Sequence, residues 1–493
     1  MLDRLASSPT GGHQDLSKSE KELQSLMQEK QELMMKQSKD FMEELFKQNS
    51  TQPIKVKNVQ ITNGHSFRDN FLQAQFSPLL NSKQPVSLQE FLKQVETVSN
   101  KFIKLSVVEN LMVGIHPVVG TITTQSIFGR RTVPDNGACI SVVPIFNTLP
   151  VKKFYAKTGT NIGNGEGDGY IQFQLKNIFG GAENISFDAV TGTKTSSSYL
   201  LNYNQPVFNN ADYISENSFS TNTRKWDWIQ SNVKTFGFSN KIYTQFDGPV
   251  NHEFTVENYW KVLENLNSKS IDVYTQSGSH FKNSLIYNVS YDTRNNKHLP
   301  TQGKFLRFGV EYNGLFKFTT SPFIKSVFES QFVYAFPKNW YTSVILTGKS
   351  GFLFPLNKTT SVLDRFYIGG PNDVRSFTLN GLGPKDYNSS IGGDMFINGG
   401  LSFISKIPRV SSESNFKLHN FVNFGKLVPM DKSAGFVRNF KSVVGDFSLS
   451  YGFGILYNHP MARFELNFVL PLVVHDRDYV RKGLQYGIGV SFL

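Results

Sequence analysis

From Phe154 to Leu493 the hydrophobicity of this chain repeats every second residue, and no other feature restricts its folding so tightly. In YIQFQLKN, Ile171, Phe173 and Leu175 face one way while Gln172, Gln174 and Lys176 face the other. FLRFGVEY sets Leu306, Phe308, Val310 and Tyr312 against Arg307, Gly309 and Glu311. RFELNFVL sets Phe464, Leu466, Phe468 and Leu470 against Glu465 and Asn467. The terminal GLQYGIGVSFL opposes Leu484, Tyr486, Ile488, Val490 and Phe492 to Gly483, Gln485, Gly487, Gly489 and Ser491. A helix repeats every 3.6 residues, so a sustained period of two demands strands. One face is apolar throughout; the other is small or polar.

A soluble β-sandwich alternates as well. Two features favour a membrane barrel instead. The runs are about 8 to 12 residues long, which fits a tilted crossing of the hydrocarbon layer, and aromatic residues crowd the apolar set, with 44 phenylalanines in the chain. The opposite face carries Arg, Glu, Asn, Gln and Gly, a lining for a wet lumen. At about twenty residues per strand and turn the segment predicts roughly 16 strands. The only helical signal in it is a turn near NYWKVLENL, residues 258–266. No apolar run reaches the ~18 residues of a membrane-spanning helix, and a barrel needs none.

Three regions result: 1–50, 51–150 and 151–493. Residues 17–47 lack Gly and Pro and place Leu23, Leu26, Met27, Leu33, Met34, Phe41 and Leu45 at helical spacing, predicting an amphipathic helix. The middle region opens on a strand, PIKVKNVQI. A short helix around Phe67, Phe71, Leu72 and Phe76 follows, and then a second helix that starts at a Ser87/Glu90 capping box and carries the stripe Leu88, Phe91, Leu92, Val95, Val98, Phe102, Ile103. Strands near VENLMVGIHPVV and CISVVPIF close a small α+β unit with helices on one face of a sheet.

Composition removes most other functions. A single cysteine, Cys139, excludes an internal disulfide and a multi-cysteine zinc site. The net charge of +12 is dispersed and accompanied by no nucleic-acid motif, so it reads as solvated surface and predicts no nucleic-acid partner. The N-terminal MLDRLASSPTGGHQD has neither the apolar core nor the cleavage site of a secretory signal, and it is poorly basic for a matrix presequence. HExxH, GxSxG and GxxxxGK[ST] are all missing; we expect no enzyme, no metal and no cofactor.

One segment breaks the alternation. RFYIGGPNDVRSFTLNGLGP, residues 365–384, holds too many Gly and Pro for a helix interior or a central strand. It is a long loop in a compact region, of the kind usually kept for function. Within it Val374, Arg375, Ser376 and Phe377 stand out among small residues. At the C-terminus, Gln485, Gly487, Val490 and Phe492 follow the order polar, x, Gly, x, x, hydrophobic, x, hydrophobic. That order resembles the signal in the last strand of mitochondrial outer-membrane barrels.

GGPNDVRSF with GLGP and IGGDMF resembles the sixth-loop signature of the outer-membrane barrel insertase superfamily, which includes bacterial BamA, and specifically the barrel subunit of the mitochondrial sorting and assembly machinery in its fungal form. AKTGTNIGN (156–164), YDTRNNKHLPTQGKF (291–305), NFGKLV (423–428), HPMARFELNFVLPL (459–472) and RKGLQYGIGVSFL (481–493) extend the resemblance over residues 53–493. It implies a 16-stranded transmembrane barrel behind one POTRA-like domain and an N-terminal helix. It also implies that the sixth loop folds into the lumen, where its arginine meets carboxylates of the inner wall; Asp394 is the first candidate partner, ahead of Asp373 and Glu465. Two positions depart from the family pattern. Ser376 replaces the glycine of Arg-Gly-Phe, at a cost of about 1 kcal/mol if the position needs positive φ. Asn423 stands where bacterial relatives often carry aspartate.

The function implied is insertion of β-barrel precursors into the mitochondrial outer membrane. A precursor's terminal strand cannot enter hydrocarbon with its backbone groups unpaired. A seam between the first and last barrel strands offers the missing edge, with Thr158, Gly159, Thr160 and Asn161 as the template and residues 483–492 as the strand displaced. The implied partners are barrel precursors of porin and import-channel type, peripheral metaxin-like subunits and outer-membrane lipids, with the POTRA-like domain in the intermembrane space. The alternatives are a passive pore or polypeptide channel built on the same barrel, and a soluble β-rich binding protein that salt or alkali would extract.

Overall fold

In a computed structural model of the chain, the structure describes residues 18–81, 84–118, 121–126, 129–134, 139–163, 166–336, 342–357, 359–410, 414–431, 433–459 and 463–489. The chain divides into two compact units, 1–62 with 76–100 and 111–148, and 63–75 with 101–110 and 149–493.

In the first unit the amphipathic pattern forms the helix Lys18–Asn49, with Met27, Leu33, Met34 and Phe41 exposed. The predicted strand PIKVKNVQI is two short strands, Pro53–Val56 and Gln60–Ile61, because both pair parallel to Ile140–Pro150 on either side of a break. Val86–Ser87 pairs with Pro53–Val56, and Val108–Pro117 with Ile140–Pro150. The second predicted helix is Leu88–Lys104, and the Ser87 hydroxyl accepts the Glu90 N–H at 3.2 Å as the capping spacing requires. Phe91, Val95 and Val98 of its stripe are buried, as are Ile54, Phe76, Val142 and Phe146, with the Phe76 and Phe146 rings 5.0 Å apart. A hairpin of Thr121–Ser126 and Gly129–Pro134 adds to this unit; its alternation was too short to register in the sequence.

The second unit is a sixteen-stranded antiparallel sheet running in sequence order from Phe154–Gly163 to Gly483–Gly489. Each described strand pairs with its chain neighbours, which is the meander of a transmembrane barrel. Its burial is inverted relative to a soluble protein. On the strand Arg463–Val473, Phe464, Leu466, Phe468 and Leu470 are each about two-fifths to half exposed, while Arg463, Glu465 and Asn467 are 5% exposed or less. The apolar set faces outward and the polar set inward, as lipid outside and a filled lumen inside demand. NYWKVLENL forms no helical turn: residues 258–265 belong to the strand Val250–Asn265, and Tyr259 and Trp260 are paired on both sides. Among the described residues, the α-helices between barrel strands lie elsewhere, at Ile271–Thr275 and Phe436–Val444.

The eleventh and twelfth strands, Thr342–Pro355 and Met395–Lys406, pair with each other directly. The segment connecting them, which contains residues 365–384, therefore leaves the sheet and returns to it, and its residues fill the interior.

Candidate functional site

The connection owes its shape to residues that cannot extend. Gly369, Gly370 and Gly383 take positive φ, and the Asp373 carboxylate accepts the Gly369 N–H at 2.7 Å, closing a tight turn before Val374. Burial pushes the Asp373 carboxyl above its usual range, against the opposing pull of the Gly369 N–H, Lys349, the Val374 N–H and Arg375. The Asn398 side chain donates to its second oxygen at 2.6 Å, tying the turn to the twelfth strand. Val374 and Phe377 are fully buried in a cluster with Phe323, Leu353, Ile368 and Leu427.

Between them Arg375, only 1% exposed, points at the inner wall. Its Nε and Nη2 donate to Glu465 Oε2 at 3.1 and 2.9 Å, and Nη1 donates to Asn423 Oδ1 at 3.0 Å. The guanidinium lies 4.5 Å from the Phe421 ring centroid. The fork geometry and the stacking both call for arginine here, since lysine offers neither. Glu465 also meets Arg463 through Oε1 and accepts from Asn467 Nδ2 at 2.7 Å. His419, fully buried, lies 3.0 Å from Ser402 Oγ and 3.5 Å from Arg463 Nη2.

The expectation that Asp394 pairs with the arginine is corrected. Asp394 Oδ2 accepts the Met430 N–H at 3.0 Å, at the point where the twelfth strand begins, and the carboxylate facing Arg375 is Glu465. Inward register decides this. Glu465 stands opposite Gly487, where no side chain competes for the lumen space. Asn423, the departure from an aspartate, keeps the acceptor position with its amide oxygen. Ser376 does take positive φ, at 75°, and its buried hydroxyl has no hydrogen-bond partner among the described residues.

The loop also grips the last strand. The Ser376 N–H donates to Gln485 Oε1 at 3.1 Å. Phe377 forms an antiparallel bridge with Val480, flanked by Thr378 N–H to Tyr479 O and Arg481 N–H to Ser376 O, both 2.9 Å. Gln485 and Gly487 are thus inward residues of the strand Gly483–Gly489, while Val490 and Phe492 lie outside the described residues. Thr158, Gly159, Thr160 and Asn161 lie on the first strand, Phe154–Gly163, paired to Glu166–Lys176. Tyr170 crosses Gly159 so closely that a Cβ there would sit 2.8 Å from its phenol oxygen.

Ser448, His475 and Asp478 come together near the same rim, but not as a nucleophile. Ser448 donates its proton to Asp478 Oδ2 at 2.5 Å rather than to an imidazole acceptor, and Asp478 Oδ1 takes the Gly383 N–H at 3.1 Å. The trio is a clasp on the loop. Arg463 and His419, which complete the lumen cluster with Asn467, were not singled out in the sequence; the signal for Arg463 was the inward parity of RFELNF, which it shares with Glu465 and Asn467, whereas His419 lies on the strand Phe416–Val428.

Comparison with known proteins accords with this geometry. The Omp85 superfamily domain matches residues 177–492. The SAM50-like protein of Schizosaccharomyces pombe is 29% identical, with 91% of this chain and 93% of that protein covered. The sorting and assembly machinery component 50 homolog of Homo sapiens is 30% identical over 71% of this chain and 75% of its own. Among solved structures, BamA from Haemophilus ducreyi lacking POTRA domains 1–3 superposes with a TM-score of 0.68 at 12% identity, covering 88% of this chain and 84% of that one. The chain belongs to the Omp85 superfamily and, within it, to the sorting and assembly machinery 50 family.

Proposed function

We propose that this protein inserts β-barrel precursors into the mitochondrial outer membrane by pairing their C-terminal signal strand at a seam between its first and last barrel strands. One observation carries the reading: the sixth loop is bound both to Glu465 on the penultimate strand and to Gln485 on the last, so the strand next to the seam is held from inside by groups that can let go one at a time. A passive pore has no need of such a hold on one strand. The template is the stretch Thr158, Gly159, Thr160, Asn161, whose backbone supplies the hydrogen bonds an incoming strand lacks in hydrocarbon. Gly487 and Gly489 in the opposing strand give little side-chain packing to overcome when it is displaced. The region 51–150 serves as a POTRA-like domain in the intermembrane space, and peripheral metaxin-like subunits complete the machinery.

The test uses the single native cysteine to advantage. In a Cys139→Ser background, Thr160→Cys is crosslinked to cysteines placed along the terminal strand of an imported barrel precursor. A crosslink at one register, lost when the precursor's signal is mutated, supports pairing at the seam. Precursor that stays bound yet never crosslinks to position 160 would sink the reading and favour passage through the lumen.

A further inference from the structure

The outer wall carries a second feature that the insertase reading does not use. The helix Phe436–Val444, between the thirteenth and fourteenth strands, packs against the strands Met395–Lys406 and Phe416–Val428 at the rim where the sixth loop emerges. At 3.6 residues per turn, Val437, Phe440, Val443 and Val444 share one face and Arg438, Lys441 and Ser442 the other. The protein covers only part of the apolar face. Val443 is buried, but Val437, Phe440 and Val444 remain 66%, 55% and 45% exposed.

Beneath the helix lies a groove of about 350 Å³ lined by Phe308, Phe328, Ser350, Phe352, Phe440 and Val443. The register explains it. Phe308, Phe328, Ser350 and Ile397 form one row across four strands, all on lipid-facing positions, and Ser350 is the one small member. The missing bulk at Ser350 opens a notch that the helix roofs. All four strands are paired on both sides here, so the groove offers no backbone edge to a peptide. Hydrocarbon suits it.

We propose that this groove binds an acyl chain of an anionic phospholipid, with Arg438 and Lys441 holding the headgroup. A helix with its apolar face in the acyl region and cations at the headgroup level is the arrangement of an interfacial helix, and each such cation favours anionic lipid. The site lies on strands nine to twelve, away from the first and last strands, and it stands independently of the insertase reading.

The full-length protein is reconstituted in phosphatidylcholine nanodiscs containing either phosphatidylglycerol or phosphatidylcholine with a photoactivatable acyl chain, and labelled peptides are mapped by mass spectrometry. The anionic probe is expected to label residues 323–355 and 436–444 preferentially, and Ser350→Trp, which fills the notch, to abolish that labelling. Arg438→Gln and Lys441→Gln are each expected to reduce labelling by the anionic probe about fivefold, the equivalent of roughly 1 kcal/mol per cation. Phe440→Gln, which alters the roof and leaves the barrel wall intact, serves if Ser350→Trp fails to fold. Equal labelling by both probes, unaffected by these substitutions, would reduce the groove to ordinary annular contact. A co-purifying polypeptide crosslinked there in place of lipid would overturn the proposal as well.

Discussion

Ser376 is a residue at odds with its place. A positive φ of 75° costs an L-residue about 1 kcal/mol, and its buried hydroxyl finds no partner among the described residues. Ser376→Gly relieves both, offset in part by the greater freedom of glycine in the unfolded chain, so a net gain of about 1 kcal/mol is expected. Ser376→Ala, which removes the hydroxyl alone, should recover only part of it. The readout is the temperature at which the folded barrel band is lost on a semi-native gel; a lower temperature for the glycine variant would show that the serine is not strained. Asn423 invites the opposite kind of change. Two buried guanidiniums, Arg375 and Arg463, share one carboxylate, Glu465, while Asn423 Nδ2 has no hydrogen-bond partner among the described residues. Asn423→Asp removes that orphan donor, turns the Nη1 contact into a charge-assisted one and balances the cluster, for an expected stabilisation of about 1 kcal/mol. If the same gel transition falls instead, desolvation of a second carboxylate outweighs its pairing. The arginine stood out in the sequence by its isolation among Gly, Pro and small polar residues, and its place in the lumen came from the family resemblance of the loop. Its partner did not stand out, because Asp394 is near in the chain and Glu465 is ninety positions away; only strand register brings Glu465 opposite Gly487 and inward.

The sixth loop is held at two ends by unlike forces. Its tip sits on the thirteenth, fifteenth and sixteenth strands through Asn423, Glu465 and Gln485. Its base is held across the lumen: Arg365 donates to Asp272 Oδ2 at 2.7 Å and to Ile391 O at 3.1 Å, Lys261 to Asp364 Oδ1 at 2.8 Å, and Ser270 to Asp386 Oδ2 at 2.7 Å. Val362 and Leu363 pack with Ile229, Leu263 and Val273. Asp272→Asn keeps the helix Ile271–Thr275 but takes the charge from its bond to Arg365. We expect faster proteolysis within residues 379–391 in this variant, with the tip still protected. Equal cleavage rates in variant and parent would mean that the apolar cluster alone fixes the base. Apart from the contact of Arg365 with Ile391, these clasps could not be read in advance, since each joins residues more than ninety positions apart and involves connections whose paths the alternation does not describe. The strands were legible because lipid outside and a polar lumen inside impose one parity on each. The helix Phe436–Val444 escaped because nine residues between two strands are a short sample of either period, and NYWKVLENL, with apolar residues at mixed spacing, is held as strand by two neighbours rather than by its own pattern.

At the scale of the molecule, the interior loop and the outermost strand are one mechanical unit for as long as the bridge between Phe377 and Val480 holds. The flanking hydrogen bonds, Thr378 N–H to Tyr479 O and Arg481 N–H to Ser376 O, make residues 377 and 480 a non-hydrogen-bonded antiparallel pair. Such pairs bring Cα atoms to about 4.5 Å, within the range that a disulfide spans. Phe377→Cys with Val480→Cys, in the Cys139→Ser background, should therefore form a disulfide that fastens the loop to the segment entering the last strand. Loss of the phenylalanine leaves a cavity in a buried cluster, so the comparison that matters is oxidised against reduced protein of the same variant. If a precursor strand displaces the last strand from the first, the segment before it must part from the loop. Oxidised protein should then bind precursor and fail to release it as folded barrel, and reductant should restore assembly. Full assembly activity in the oxidised state would show that the last strand and the loop travel together, or that insertion proceeds without moving either, and the hold on Gln485 would then be a matter of stability alone.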